Sequence, residues 1–239
     1  MRTTILRSIQ VGLPRDLGRD DAEGLSGPSW TSGIVKEPVA GPVPVGRTGV
    51  QGDGQADRVN HGGPDKAVCA YSADHYDAWR RELDRPSLAF GAFGENFTIE
   101  GLTEGDVCLG DVWRVGAVEV QVSQPRQPCW KLARRWRIED LARRVVQNGR
   151  TGWYFRVLRG GVVARGLALE RLDRPFPRWT IERANRVLHH DQTDLGAAAE
   201  LAAIATLPAP LRASLSRRVG REPGGSDLVG GRSGATAHD

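Results

Sequence analysis

The sequence predicts a mainly β protein with some α: a β-barrel or sandwich followed by a small C-terminal three-helix subdomain. Three observations predict it. Short β-branched runs recur between Gly and Pro turns over most of the chain, the pattern of a barrel or sandwich. Val118, Val120 and Val122 alternate with polar residues, the period of a half-buried strand. Beyond the prolines at 175 and 177 this pattern gives way to Leu and Ala at helical spacing.

Residues 2–12, RTTILRSIQVG, read as the first strand, closed by a Gly. Residues 13–28, rich in Gly, Asp and Pro, read as a loop. Strand-like stretches follow at 34–36, 67–71, 97–99, 111–115 and 118–123, and 161–172 reads as a strand pair. Two helices interrupt them. One spans 73–83 behind the N-cap Ser72; the other spans 138–148, with Ile138, Leu141 and Val145 on one face and Gly149 as its stop. The β domain is therefore placed at 1–175. A helical subdomain occupies 176–219, with helices at 180–190, 194–207 and 210–219, and 220–239 forms a disordered tail with little to bury. The helical unit is expected to cover one side of the site's mouth or to dock an electron donor.

Composition limits the function. Hydrophobic residues make up 39%, an ordinary soluble proportion, and no apolar run is long enough to span a membrane. The N-terminal segment is too short in its apolar part for a secretory signal, so a cytoplasmic location and no membrane partner are expected. The net charge is +4, and only Lys36, Lys66 and Lys131 of the 33 basic residues are Lys. Such a bias makes most Arg residues uninformative and the three Lys worth following. No basic stripe interleaved with aromatics is present, so no nucleic-acid partner is expected. Cys69, Cys108 and Cys129 are odd in number and widely spaced, which argues against a disulfide framework, a structural zinc site or an all-Cys iron–sulfur cluster.

Two segments carry candidate chemistry. Residues 49–68, GVQGDGQADRVNHGGPDKAV, hold five glycines, three aspartates, His61 and Lys66. Backbone N–H groups there, those of Gly62 and Gly63 among them, could cradle a phosphate together with His61 and Lys66. The spacing GxxGxG is not a dinucleotide fingerprint, and the stretch also reads as a surface loop whose glycines only serve turns. Residues 123–136, SQPRQPCWKLARRW, place Cys129 on a Pro-stiffened loop with Arg126, Lys131, Arg134 and Arg135 nearby in sequence. Neighbouring cations favour the thiolate, the form that binds soft metals. A free cysteine is otherwise a small buried hydrophobe, and that reading is given to Cys69 and Cys108. Asn96 starts a strand with donors and an acceptor to offer; Glu95 supports a site or closes a turn, and Asp111 closes a turn. His75 is expected on the surface, and His189 and His190 at a helix C-terminus where a cation suits the dipole.

Four runs, GDGQADRVNHGGPDKAVCAY, AFGENFTIEGLTE, GDVWRVGAVEVQVSQPRQPCWKL and GWYFRVLRGG, resemble in order the YiiM branch of the MOSC-domain proteins, from about residue 45 to 172. The resemblance implies a MOSC-type β-barrel and a molybdenum cofactor (molybdopterin) whose metal takes Cys129 as its protein ligand. By the same match His61, Lys66, Asn96, Arg126 and Lys131 surround the cofactor. Pyridoxal phosphate binding is also associated with the family. The implied activity is reductive detoxification of N-hydroxylated compounds such as hydroxylaminopurines. The chain has no iron–sulfur ligand set or dinucleotide fingerprint of its own, so electrons must come from a flavin reductase or ferredoxin-type partner. Two rival classes remain: a cofactor or sulfur carrier without turnover, and a cysteine hydrolase using Cys129 and His61.

Overall fold

The computed structural model describes residues 3–18 and 29–220. Most of the 13–28 loop and all but the first residue of the expected tail lie outside these residues.

The described residues form thirteen strands and six α-helices. The main sheet has eight strands in the order β13-β9-β10-β11-β7-β8-β1-β4. They are β1 (Ile5–Val11), β4 (Glu37–Pro38), β7 (Val68–Ser72), β8 (Phe97–Glu100), β9 (Val112–Val115), β10 (Val118–Pro125), β11 (Trp153–Arg159) and β13 (Leu169–Asp173). The sheet curls back on itself. Leu6 N–H donates to Leu167 O at 2.9 Å and Gly166 N–H to Leu6 O at 2.8 Å, so the segment before β13 bonds to β1 and closes a barrel. A three-stranded ribbon, β12-β5-β6 (Gly161–Val163, Val43–Gly46, Gly49–Val50), and a hairpin of β2 (Arg15–Leu17) with β3 (Trp30–Ser32) flank it.

Among the described residues every strand pairing is antiparallel except β7 with β8. A parallel pair needs a long crossover, and residues 73–96 supply it. Ser72 Oγ caps its first turn by accepting from Asp74 N–H at 3.2 Å, and α1 (Tyr76–Glu82) follows. Tyr71 of β7 and Tyr76, Trp79 and Phe93 from this crossover pack with Leu132 of α2 (Trp130–Trp136) and with Leu141 and Val145 of α3 (Leu141–Gln147). This forms a second apolar cluster beside the barrel core.

Several expectations are corrected. Residues 34–36 are not a strand; the strands lie on either side, at β3 and β4. The 161–172 strands do not pair with each other. β12 pairs with β5 and β13 with β9, because the chain turns at residues 164–168 to bond to β1. The stiff loop expected around Cys129 is a loop only up to that residue, after which α2 begins. His75 is not a surface group: its ring nitrogen Nε2 lies 2.6 Å from the buried Glu104 carboxylate. The 180–190 helix is α4 (Ile181–Asn185) continued as a π-turn, and His189 there is half-buried. Burial, then neighbouring His190, pushes its pKa down, which disfavours the cation expected there. Asp111 does close a turn, accepting from Cys108 N–H at 2.9 Å and from Arg174.

The C-terminal helices α4, α5 (Leu195–Ala202) and α6 (Ala209–Val219) are not a separate globule. Ile181, Val187, Leu201, Ile204, Leu207 and Leu215 are buried in the same cluster as Val120, Val122 and Trp153 of the barrel. Among the described residues no helix is long and apolar enough to cross a membrane.

Candidate functional site

The site grows from the end of β10. Pro125 ends the strand, Arg126 turns inward, and Cys129 becomes the N-cap residue of α2 with extended backbone, φ −115° and ψ 171°. Helix α2 is fixed on three sides. Leu132 is fully buried, Trp136 Nε1 donates to Ala92 O at 2.8 Å, and Arg135 donates to the carbonyls of Ile34 (2.6 Å) and Gly91 (2.9 Å). Cys129 is therefore held between a rigid strand end and an anchored helix. Arg135 is spent on this anchoring, so its nearness to Cys129 in sequence does not make it a site group.

The cysteine opens onto a cleft. Its walls come from residues 32–34, 53–57, 93–94 and 126–127, with Lys36, His61, Lys66, Cys69, Asn96, Lys131 and Tyr154. Two of these walls meet so closely that a Cβ on Gly33 would fall 2.3 Å from Gly54 O. All three lysines of the chain line this one cleft. Lys36 forms a buried ion pair with Asp53, whose Oδ1 also accepts from Gly12 N–H at 2.8 Å. Lys66 lies 6.0 Å from the Tyr154 ring centre and donates to Asn60 O at 2.5 Å. Burial lowers the Lys66 pKa, against the pull of Asp57 and Asp65.

Arg126 is the deepest cation. Its Nη2 donates to Phe93 O, while Nη1 is buried with no hydrogen-bond partner. A buried guanidinium donor left unpaired is costly unless an acceptor joins it, and this one belongs to a cleft-lining residue. The loop that offers Phe93 O is organised by Glu95. Its carboxylate accepts from Tyr76 Oη, Gly91 N–H (2.7 Å), Phe93 N–H (3.1 Å) and Thr98 Oγ1 (3.0 Å).

Cys129 is tuned within this frame. Burial alone would raise its pKa. The hydrogen bond from His61, that from the Lys131 backbone N–H, and the charges of His61 and Arg126 outweigh it and hold the thiol below its ordinary value. His61 is in turn oriented by Asp57, whose Oδ2 lies 3.3 Å from Nδ1. Hydrogen bonds from the Asn60 backbone and side chain hold the Asp57 carboxyl well below the usual carboxylate range. Cys69 lines the same cleft but behaves oppositely: burial pushes it up to about 11.

The structure thus brings His61, Lys66, Asn96, Arg126, Cys129 and Lys131 to one cleft; Gly62 and Gly63 stand beside it rather than in its lining. Asn96 arrives with its amide engaged, accepting from Cys69 N–H at 3.1 Å and donating to Gln10 O at 3.2 Å. Among the described residues, none from helices α4–α6 lines the cleft. Sequence reasoning missed Lys36, Asp53 and Tyr154 as cleft residues. Tyr154 had a signal: it alternates on β11 with Trp153 and Phe155, which point into the barrel core. Among the described residues no three His, Cys, Asp or Glu side chains are placed to hold a metal by themselves.

The sequence matches the MOSC domain over residues 57–170 and the YiiM-like, 3-alpha helix domain over residues 179–220. It is 45% identical over 214 residues to protein YflK of Bacillus subtilis (strain 168), covering 90% of this chain and 94% of that one. The crystal structure of YiiM from Geobacillus stearothermophilus superposes with a TM-score of 0.75 at 38% identity, over 90% of this chain and 99% of that one. The chain belongs to the YiiM branch of the MOSC family. A longer relative from Gibberella moniliformis (strain M3125 / FGSC 7600) is named a reductase and is 38% identical over 181 residues. That match takes in 74% of this MOSC protein but only 32% of the reductase.

Proposed function

We propose that the cleft binds a molybdenum cofactor through Cys129 and that the protein reduces N-hydroxylated compounds with electrons from a separate donor. The observation that carries this reading is the pairing of an activated thiol, Cys129, with the buried unpaired Nη1 of Arg126 in a cleft lined by all three lysines. A soft thiolate suits molybdenum, and the clustered cations suit an anionic, phosphate-bearing cofactor. Among the described residues the cleft offers no full ligand set, so a metal held by Cys129 must bring its remaining ligands with it. Membership of the MOSC family and the reductase name of the Gibberella relative support the same reading.

The bound cofactor would supply two-electron oxygen removal from an N–OH group. The protein's own residues do the rest. Cys129 holds the metal, and its thiolate is kept by His61 and the Lys131 backbone N–H. Arg126 Nη1 gives a donor to an anionic oxygen. Lys66 and the nearby turn balance phosphate charge. The buried walls, Phe93 and Tyr154 among them, keep bulk water from the reacting group.

The test is elemental analysis on protein from a host that makes the cofactor, with Cys129→Ala alongside. Near-stoichiometric molybdenum in the wild type, lost in the variant, with turnover of a hydroxylamine by an artificial electron donor, is the expected result. Equal molybdenum in both proteins sinks the assignment. Bound cofactor without turnover would make the protein a carrier. The Asp57–His61–Cys129 row favours one other reading, a cysteine hydrolase, which predicts metal-free, iodoacetamide-sensitive hydrolysis.

A further inference from the structure

We propose that the Tyr154 hydroxyl is a second donor beside Arg126 Nη1, and that the two form an oxyanion pocket on the deep side of the cleft. The occupant is an oxygen of a tetrahedral anion. The proposal rests on the cofactor reading for the source of that anion, not for the donors themselves. Tyr154 lies on β11 between Trp153 and Phe155, which point into the barrel core, so strand alternation turns it the other way. Its register partner on β7 is Cys69, and both residues line the cleft. Tyr154 is only 8% exposed. A buried hydroxyl ordinarily finds an acceptor for its hydrogen, yet among the described residues none takes it from Tyr154 Oη. Burial, then the neighbouring Cys69, raise the phenol's pKa, and the charge of the nearby Arg126 acts against them. The phenol therefore keeps its hydrogen at neutral pH and stands ready to donate it.

The polar groups around this pair narrow what it can bind. Both carboxylates in the lining are already engaged: Asp53 by Lys36 and Gly12 N–H, Asp57 by Asn60 and His61. The Asn96 amide is engaged at both ends. What remains is a neutral O–H, the buried Nη1 of Arg126, and the Lys66 ammonium 6.0 Å from the Tyr154 ring centre. These are donors without an acceptor. A bare anionic oxygen supplies one, whereas an apolar or cationic ligand leaves the donors orphaned. The donors are also held in place. Tyr154 pairs with Gln124 and Trp153 with Pro125, so β11 is registered against the strand end from which Arg126 turns inward.

The test uses full-length protein made in a host without the cofactor, titrated separately with inorganic phosphate and with molybdate at fixed ionic strength. Wild type should bind at least one of them. Tyr154→Phe should weaken that binding about fivefold, the share of one neutral hydrogen bond, with the melting temperature unchanged. Arg126→Lys should weaken it about tenfold or more. A loss on phosphate assigns the pocket to the cofactor's phosphate; a loss confined to molybdate assigns it to oxygen at the metal. Either supports the two donors. Tyr154→Phe binding both anions as wild type does overturns the proposal, as does a wild type that binds neither. A loss in Lys66→Ala but not in Tyr154→Phe also overturns it, because the anion then rests on the ammonium alone. So does a clear fall in the melting temperature of Tyr154→Phe, which would mean that the hydroxyl serves the fold. Tyr154→Phe removes a single oxygen atom and keeps the question answerable if Arg126→Lys does not fold. The reductase reading fails separately, on metal content and turnover, while these titrations still decide the pocket.

Discussion

Arg156 on β11 donates from Nε to Asp65 Oδ1 at 2.9 Å and from Nη2 to Thr206 O at 2.7 Å. One side chain thus joins the turn that carries Lys66 to the C-terminal helical unit. Ser123 Oγ adds a second tie, donating to Asp65 O at 2.5 Å. The helices contribute nothing to the cleft lining, yet they hold one of its walls through this arginine.

Replacing Arg156 by Ala should therefore loosen the site more than the fold. The ion pair is partly exposed and worth under about 1 kcal/mol, so the melting temperature should fall only slightly. Amide hydrogen exchange across residues 57–66 should quicken, and cofactor content after dialysis should drop. Exchange in that segment identical to wild type would show that the turn is held without Arg156.

The three thiols should separate by pH. In cofactor-free protein, Cys129 should react with iodoacetamide near neutral pH, where Cys69 and Cys108 stay inert. Burial raises both of the latter, and Cys69 reaches about 11. The stability signs are opposite. The lowered Cys129 pKa contributes stability that is full above the unfolded thiol value and fades as pH falls through the lowered folded value. The raised Cys69 pKa contributes stability below the ordinary thiol value of 9.0 that is lost as pH rises through about 11. His61→Ala should slow the neutral-pH alkylation of Cys129. Mass spectrometry of the labelled peptides reads each rate, and faster labelling at Cys69 than at Cys129 would refute the assignment.

How much of this was legible follows from sequence distance. The alternation of Val118, Val120 and Val122 announced β10, because a strand writes its burial at period two. Cys129 and its cations are neighbours in the chain, so their electrostatics could be read directly. Helix α2 was hidden by the two prolines before it and by cations over most of its length; its apolar contacts, Leu132 and Trp136, find partners some 40 residues earlier, in Phe93 and Ala92. The Lys36–Asp53 and His75–Glu104 pairs span 17 and 29 residues, and only the closed barrel brings them together. Strand β5, with Pro44 at its centre, lacked a clean strand signal.

Lys66→Ala should weaken cofactor retention more than it weakens folding. The ammonium makes one hydrogen bond to Asn60 O and otherwise faces the cleft and the Tyr154 ring, so little of the core depends on it. Burial already lowers its pKa, and a bound phosphate would restore the charged form. The check is molybdenum and phosphate content after extended dialysis, set against the melting temperature. An unchanged content in the variant would move the phosphate elsewhere along the cleft.

The C-terminal helices should be needed for the barrel itself. Ile181 and Leu201 are fully buried, and both belong to the cluster that contains Val120 and Val122. The helices also cap themselves: Thr180 Oγ1 accepts from Arg183 N–H at 3.0 Å and Asp194 Oδ1 from Ala197 N–H at 2.9 Å. Each large apolar side chain returned to water costs roughly 1.5–3 kcal/mol before entropy is counted. Removing six of them by ending the chain at residue 179 takes away roughly 9–18 kcal/mol of burial, comparable with the whole stability of an ordinary domain, and that protein should aggregate. A graded version keeps the question answerable if the truncated chain does not fold. Leu201→Ala should cost about 2–5 kcal/mol, because it empties a site shared by helices and barrel. Thermal unfolding should remain a single transition, since one core joins both parts. Two separate transitions in the full chain, or a wild-type melting temperature in the 1–179 protein, would show instead that the helical unit is an independent appendage.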